Sequence, residues 1–169
     1  MFSNGEYVMY GTSGLCRIAG TERRSFDGIH ENEYFRLIPY GSENSSYYIP
    51  AETIGNKVRK LLTADEIYAV IDRIPSIKPI WDDDNTRRHE TFNGMYKSGD
   101  YDKIICLIKS VYNQQQIRSA AGKKLPLAEE HMLKAAEKIL DSEFAVVLGI
   151  NPEDVADFIS QRLVSVSEN

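Results

Sequence analysis

The apolar pattern of the chain changes at residues 60–74, which have the sequence KLLTADEIYAVIDRI. Thr63 and Glu66 form a capping-box pattern, and the apolar residues after them recur at the three- and four-residue spacing of an amphipathic helix. Upstream, apolar residues occur in short runs bounded by glycine and asparagine, a pattern typical of strands. We therefore predict an α+β protein with a β domain over residues 1–60 and a helical domain over residues 61–169.

Four short runs in the first domain are rich in Tyr, Val, Ile and Leu. Turn-forming residues such as Gly14, Gly28 and Gly41 lie between them. Short strands at this spacing favour a small antiparallel barrel. The four predicted strands cover residues 7–10, 15–21, 34–38 and 47–50.

The second domain is predicted to contain five helices, because its apolar residues follow helical spacing between capping signals. The predicted helices cover residues 63–73, 86–97, a stretch around 104–112, residues 126–148, and a last helix from residue 151 onward. The first two are joined by an acidic connector, Ile80-Trp81-Asp82-Asp83-Asp84-Asn85. Residues 113–124 are polar, so we expect a mobile loop there. Pro126 is expected in the first turn of the next helix, which Gly149 ends.

The charge of the chain is unevenly distributed. Its 20 Lys and Arg against 25 Asp and Glu give a net charge of −5, which argues against a protein that coats nucleic acid non-specifically. By segment the net charge is zero over residues 1–60, −4 over 61–84, +4 over 85–138 and −5 over 139–169. The basic segment can still contact phosphate, because screening confines each field to about 10 Å at 0.1 M salt.

Composition also excludes several classes of protein. With 42% apolar and 27% charged residues, the chain should fold rather than stay disordered. No stretch approaches the length of a membrane span and the N-terminal residues lack a signal-peptide pattern, so we expect no membrane contact and a cytoplasmic location. Cys16 and Cys106 are distant in sequence and indicate neither a disulfide framework nor a zinc site.

No combination of residues in the sequence points to catalysis. His30, His89 and His131 do not have the spacing of a metal-binding helix motif. The aspartate run 82–84 lacks the spacing of a cation-binding loop, and the segment 11–14 lacks the lysine of a phosphate-binding loop. We therefore expect no enzyme, no cofactor, no bound metal and no small-molecule substrate.

Two features remain as candidates for binding. Trp81, the only tryptophan, lies in the acidic connector beside a basic helix, where an exposed indole can stack on bases or wedge between them. Alternatively, Trp81 folds back onto the helices and fills a gap between the domains. The basic residues of this region either contact phosphate or form an ordinary solvated surface. They are Arg87, Arg88, Lys97, Lys103, Lys123, Lys124 and Lys134.

Short motifs along nearly the whole chain match a known family in their order and spacing. In the first domain they are Gly5-Glu6-Tyr7-Val8-Met9-Tyr10, Gly14, Ile18, Glu22-Arg23-Arg24, Gly28, Tyr34 and Ile49-Pro50. In the second domain they are Arg87-Arg88, Ser98-Gly99-Asp100, Leu125, Glu129, Met132-Leu133, Ala136 and residues 140–143. In these motifs the chain resembles the CarD family of bacterial transcription regulators.

The resemblance implies a Tudor-like barrel that binds the β subunit of RNA polymerase, as does the matching module of the transcription-repair coupling factor. It also implies a helical domain that contacts the minor groove and backbone of promoter DNA near the upstream edge of the melted bubble and steadies the open complex. The polymerase-binding candidates are Arg23, Arg24 and Tyr48. The DNA-binding candidates are Trp81, Arg87, Arg88, Lys97, Lys123 and Lys124.

The chain departs from the family pattern at several positions. In relatives, a tryptophan that wedges into the minor groove stands two residues before the arginine pair, where this chain has Asn85. Here Trp81 lies four residues before Asn85, and three aspartates follow it. Tyr48 replaces an arginine of some relatives, and Glu130 replaces a lysine. Because these changes remove positive charge, we expect weaker DNA affinity than in relatives. An adaptor with a polymerase-binding barrel but no direct DNA contact is the alternative hypothesis.

Overall fold

The structure is a computed structural model that describes residues 1–168, so Asn169, the last residue of the predicted helical domain, lies outside the described residues. The chain divides into two compact units, the sheet unit Met1–Leu62 and the helical unit that starts at Thr63. The sheet unit contains β1 (Tyr7–Tyr10), β2 (Gly14–Arg24), β3 (Asn32–Pro39), β4 (Tyr47–Pro50), the short helix α1 (Ile54–Lys57) and β5 (Arg59–Lys60). The strands form one antiparallel sheet in the order β4-β3-β2-β1-β5, and helices follow, so the predicted α+β fold is confirmed.

A β-bulge in β2 decides which side chains lie on each face of the sheet. The pairing between β2 and β3 shifts between Ile18, which lies opposite Leu37, and Gly20, which lies opposite Arg36. The extra residue reverses the alternation of side chains along the rest of β2. Gly20 has a φ of +128°, a backbone conformation that favours glycine. As a result, Arg24 lies on the face of Arg36, opposite the core face of Leu37.

The core of the sheet unit lies on one face of the sheet and is closed by α1. Its buried residues are Val8, Cys16, Ile18, Leu37, Ile49, Ile54 and Val58. The pairing of β2 with β3 continues beyond this core as far as Arg24 opposite Asn32. Both strands are therefore longer than predicted, because their polar ends are held by backbone pairing rather than by apolar burial. The two-residue strand β5 pairs with β1 and was not predicted from the apolar pattern.

All five predicted helices are present in the helical unit. They are α2 (Ala64–Arg73), α3 (Asn85–Lys97), α4 (Tyr101–Ala120), α5 (Leu127–Leu148) and α6 (Val155–Ser167). The predicted capping box begins α2, where Thr63 and Glu66 bond to each other's backbone N–H groups. Helix α3 begins one residue before its predicted start at residue 86 and is capped by Asp84, whose Oδ1 accepts the backbone N–H of Arg87 at 2.9 Å.

The prediction of a mobile loop over residues 113–124 is wrong for most of that stretch. Helix α4 continues to Ala120, and Gly122, with a φ of +71°, follows its end. The polar residues there lie largely on the solvated side of the helix, so the loss of apolar periodicity did not indicate a helix end. Pro126 is the N-cap of α5 rather than a first-turn residue, and Gly149 ends α5 in the left-handed conformation as predicted.

The core of the helical unit is formed by apolar side chains from α2 to α6. Its largest fully buried members include Ile67, Ile71, Phe92, Ile104, Leu107, Val111 and Phe144. Tyr101 packs edge-on against Phe144 at 5.2 Å between ring centroids and donates its hydroxyl to the buried carboxylate of Glu143. Within residues 1–168, no helix has both the length and the apolar content that crossing a membrane requires.

Candidate functional site

The far end of the β2–β3 hairpin presents a cluster that we call the Arg24 surface: Arg24, Phe26, Tyr34 and Tyr48. The guanidinium carbon of Arg24 lies 4.2 Å from the centroid of the Tyr48 ring, a cation–π arrangement. Arg24 Nε also donates to Glu22 at 2.9 Å. The ring of Phe26 is 63% exposed and meets Tyr34 at 5.0 Å and Tyr48 at 5.9 Å between centroids. An exposed aromatic group beside an oriented cation is thus held on one face of the sheet.

The structure brings Arg24 and Tyr48 together but separates Arg23 from them. Successive side chains of a strand project to opposite faces, so Arg23 projects away from the Arg24 surface. It is exposed and lies opposite Glu33 of β3. The sequence could not assign the two arginines to faces, because the bulge at Gly20 sets the alternation.

The turn that carries Phe26 is ordered by Asp27. One carboxylate oxygen of Asp27 accepts the backbone N–H groups of Ile29 at 2.9 Å and His30 at 2.8 Å, and the other bonds to His30 Nδ1 at 2.7 Å. These bonds, with the backbone N–H of His30 as the largest cause, hold the pKa of the Asp27 carboxyl well below its usual range. The position of Phe26 is therefore supported by a local hydrogen-bond network.

In the helical unit, the acidic connector and the residues that lead into it from α2 are held by bonds to α4. The Lys109 ammonium donates to the carbonyl of Ile74 at 2.8 Å and also to that of Ile77. The Ile80 N–H donates to Ser110 Oγ at 2.8 Å. These bonds tie the connector to α4, so the position of the next residue, Trp81, is set by the fold.

Trp81 lies half-buried against one face of α3. Its indole meets the Phe92 ring edge-on at 6.0 Å between centroids, and the guanidinium carbon of Arg88 lies 4.4 Å from the indole centroid. Arg88 and Phe92 are four residues apart, so they lie one above the other on the helix. Trp81 is thus packed within the helical unit but keeps part of its surface in solvent.

Arg88 does not have the exposed position that the sequence suggested. Its side chain is only 4% exposed, and two of its nitrogens donate to Oε1 of Glu129, at 3.0 and 2.6 Å. The guanidinium also donates to the carbonyl of Asp82 at 2.8 Å and to Asn85 Oδ1 at 2.7 Å. These hydrogen bonds use the guanidinium donors to orient the connector and Trp81. Because the donors are used and the side chain is buried, Arg88 is not available to a phosphate in this conformation.

Glu129 anchors this arrangement, although sequence reasoning treated it only as a motif position. Its side chain is 2% exposed, and its Oε1 also bonds to His89 Nε2 at 2.9 Å. Burial opposes ionisation of the carboxyl, but the hydrogen bonds from Arg88 and His89 outweigh it and hold the pKa of Glu129 below its usual value. The sequence showed Glu129 only as an acid in the first turn of a helix, which is ordinarily an exposed position, and so it did not indicate this buried role.

Arg87 is exposed but is not free. Its side chain is 71% exposed, and its Nε and Nη2 donate to the two carboxylate oxygens of Asp82 at 3.0 and 3.2 Å. This pair lowers the pKa of Asp82 and raises that of Arg87. Trp81, Asp82, Arg87 and Arg88 line an open cleft of about 490 Å³. We call these four residues, with Glu129, the Trp81 site.

The three candidate lysines occupy exposed positions. Lys97 is the last residue of α3, and Lys123 and Lys124 lie between α4 and α5. Across residues 1–168, none of their ammonium groups makes an ion pair or a hydrogen bond. They are therefore available to an anionic partner without displacing a protein contact.

Two family models match the chain. The model described as CarD-like/TRCF RID domain matches residues 2–62, and the model described as CarD, C-terminal domain matches residues 70–160. The first match covers the sheet unit and corresponds to a Tudor-like, barrel-type module, as the resemblance implied. No curated protein matches the sequence.

Proposed function

Because the chain belongs to the CarD family of transcription regulators that interact with RNA polymerase, we propose a function for each of its two units. The sheet unit binds the polymerase β subunit. The helical unit contacts promoter DNA near the upstream edge of the bubble. Better binding to the open than to the closed promoter complex would then shift the equilibrium between them, each 1.4 kcal/mol of difference giving about a tenfold change. This activity needs no catalysis, cofactor, metal or small-molecule substrate. A protein with this function would lie in the cytoplasm and would associate with the nucleoid by binding to polymerase.

The Arg24 surface supports the polymerase-binding half of the proposal. Arginine and large aromatic side chains are enriched at the centres of protein interfaces, where they supply most of the binding energy. Here Tyr48 holds the Arg24 guanidinium in place, and Phe26 exposes an apolar ring beside it. We assign the docking contact to Arg24, Phe26 and Tyr48, and not to Arg23 on the other face.

The stack of Trp81 on Arg88, anchored by Glu129, is the observation that carries the DNA-binding half. A buried, hydrogen-bonded guanidinium fixes an indole that is still partly exposed, and the exposed Arg87 lies next to it. A preorganised aromatic side chain of this kind can insert at a base step in the minor groove. We assign the base-step contact to Trp81, and we assign to Arg88 the role of positioning that indole. The contacts with DNA phosphates are assigned to Arg87, Lys97, Lys123 and Lys124.

Tethering reconciles this assignment with the acidic net charge. A module held on polymerase meets nearby DNA at a high effective concentration, so modest intrinsic affinity is sufficient. The contacts assigned here are to phosphates and to a base step rather than to base edges. Such contacts position a protein on DNA without selecting a sequence.

A pull-down with purified polymerase β subunit tests the docking contact. Arg24→Glu reverses the charge at the centre of the Arg24 surface and should weaken recovery about tenfold or more, as expected at an interface hot spot. Arg23→Glu makes the same charge change on the opposite face and should leave recovery near that of the wild type. Failure of the wild-type chain to bind, or equal recovery of the Arg24→Glu variant, contradicts the proposal.

The adaptor hypothesis, in which the helical unit binds a second protein and not DNA, is favoured by one observation. Asp82 pairs with Arg87, and Asp83 and Asp84 add negative charge beside Trp81. Fluorescence of Trp81, the only tryptophan, separates the two functions. A change in emission when polymerase and a premelted fork promoter are added supports DNA contact, whereas unchanged emission supports the adaptor.

A further inference from the structure

The ion pair between Asp82 and Arg87 has the geometry of an arginine–phosphate contact. We propose that the Asp82 carboxylate competes with the DNA phosphate for Arg87 and thereby sets the DNA affinity of the Trp81 site. The inference rests on the proposed contact between Arg87 and DNA. It adds a residue, Asp82, that limits that contact from within the chain.

The competition follows from the atoms that are used. Asp82 presents its two oxygens to Nε and Nη2 of Arg87, at 3.0 and 3.2 Å. This edge of the guanidinium is one that a phosphate binds bidentately. A phosphate that takes the same two donors must first displace the carboxylate. The Nη1–Nη2 edge also offers two donors, but a phosphate bound there lies beside the Asp82 carboxylate, whose negative charge opposes it.

Asp82 stays in position even when Arg87 leaves it. Its Oδ1 accepts the backbone N–H of Asp84 at 2.9 Å, and its carbonyl accepts from the buried Arg88 at 2.8 Å. The preceding connector is fixed to α4 through the bond from Ile80 to Ser110. A competitor held this way acts at a high effective concentration and pays little ordering entropy when Arg87 returns.

The neighbouring aspartate supplies a matched control. Asp83 is exposed and, in the part of the chain that the structure describes, makes no ion pair or side-chain hydrogen bond. Asp82→Asn and Asp83→Asn remove the same charge from adjacent positions, so both reduce general repulsion of DNA. Only Asp82→Asn also releases Arg87.

Affinity for a premelted fork promoter, measured with polymerase bound, tests the proposal in a double-mutant cycle. Asp82→Asn should tighten binding about two- to fivefold beyond the gain from Asp83→Asn, as expected for an exposed ion pair. In an Arg87→Gln background this extra gain should disappear, while the gain from Asp83→Asn persists. An NMR signal from the Arg87 Nε–H group of the free chain should shift in Asp82→Asn and stay in place in Asp83→Asn.

The outcomes separate this inference from the function on which it rests. If Arg87→Gln weakens binding but Asp82→Asn and Asp83→Asn give equal gains in both backgrounds, competition by Asp82 is overturned and the DNA contact stands. If Arg87→Gln leaves affinity unchanged, the contact between Arg87 and DNA fails, and the inference fails with it.

Discussion

Position 88 carries an arginine that is buried because a carboxylate 41 residues later in the chain meets it. Glu129 neutralises the guanidinium, and the guanidinium in turn supports the indole of Trp81. A buried ion pair of this kind adds little stability compared with an apolar pair, but removing one partner leaves an uncompensated buried charge. The pair therefore fixes the geometry of the Trp81 site and makes the helical unit sensitive to changes at either residue.

Glu129→Gln should destabilise the helical unit by about 3 kcal/mol, the usual cost of breaking a buried pair. Urea unfolding followed by Trp81 fluorescence measures this directly, since the only tryptophan lies in that unit. The adjacent Glu130 forms only an exposed pair with Lys134, so Glu130→Gln should change stability by less than about 0.5 kcal/mol. Similar effects of the two substitutions would show that the Arg88–Glu129 pair does not have this role.

The lowered pKa of the Glu129 carboxyl predicts how the stability of the helical unit responds to acid. Its pKa is lower in the folded chain than the ordinary 4.5, so the unfolded chain binds more protons as the pH falls. The stabilisation from Glu129 is therefore fully present above pH 4.5 and is lost as the pH falls below it towards the folded pKa. Glu129→Gln should flatten this part of the stability profile, and Glu130→Gln should not.

At the scale of elements, strand β2 is shaped by its bulge more than by its apolar pattern. Gly20 has a φ of +128°, and no atom lies within 4 Å of the place where a Cβ would be, so only the backbone opposes a side chain there. Gly20→Ala should cost the sheet unit about 1–3 kcal/mol through this strain. Gly55→Ala, in α1 and without a positive φ, should be neutral or slightly stabilising.

Amide hydrogen exchange of β2 and β3 measures the effect of Gly20→Ala within the sheet unit alone. The substitution should also weaken binding to the polymerase β subunit, because the bulge places Arg24 on the face of Tyr48. Retained protection and retained binding in Gly20→Ala would contradict the predicted strain and show that the bulge tolerates a side chain at position 20.

The elements that sequence predicted well are those whose signals are local. Thr63 and Glu66 bond to each other within one turn, and Gly149 ends α5 through its own backbone conformation. The errors in the predicted bounds arise where pairing with a distant segment, or solvation of polar side chains, determines where an element ends. The polar end of β2 is held by β3, and α4 continues through residues that have no apolar stripe. The burial of Arg88 likewise depends on a residue of another helix, so its sequence neighbours could not predict it.

At the scale of the whole molecule, the two units divide the charge between them. The neutral segment 1–60 contains the Arg24 surface, and the basic segment 85–138 contains most of the candidate DNA contacts. Acidic segments flank that basic segment on both sides, so the chain alone should bind DNA weakly. We therefore expect DNA contact to depend on polymerase, which in the proposed function holds the helical unit close to the promoter.

The salt dependence of binding to the promoter–polymerase complex tests which cations face DNA. Each phosphate contact contributes about 0.9 to the slope of log affinity against log salt concentration. Replacing both Lys123 and Lys124 with glutamine should therefore reduce the slope by about 2. These lysines are exposed and unpaired within residues 1–168, so the substitution should leave the fold intact. The same double change at Lys57 and Lys60, in the sheet unit, alters the net charge equally and should leave the slope unchanged. If both double variants change the slope alike, net charge and not a phosphate contact governs binding, and Lys123 and Lys124 do not belong to the DNA-binding surface.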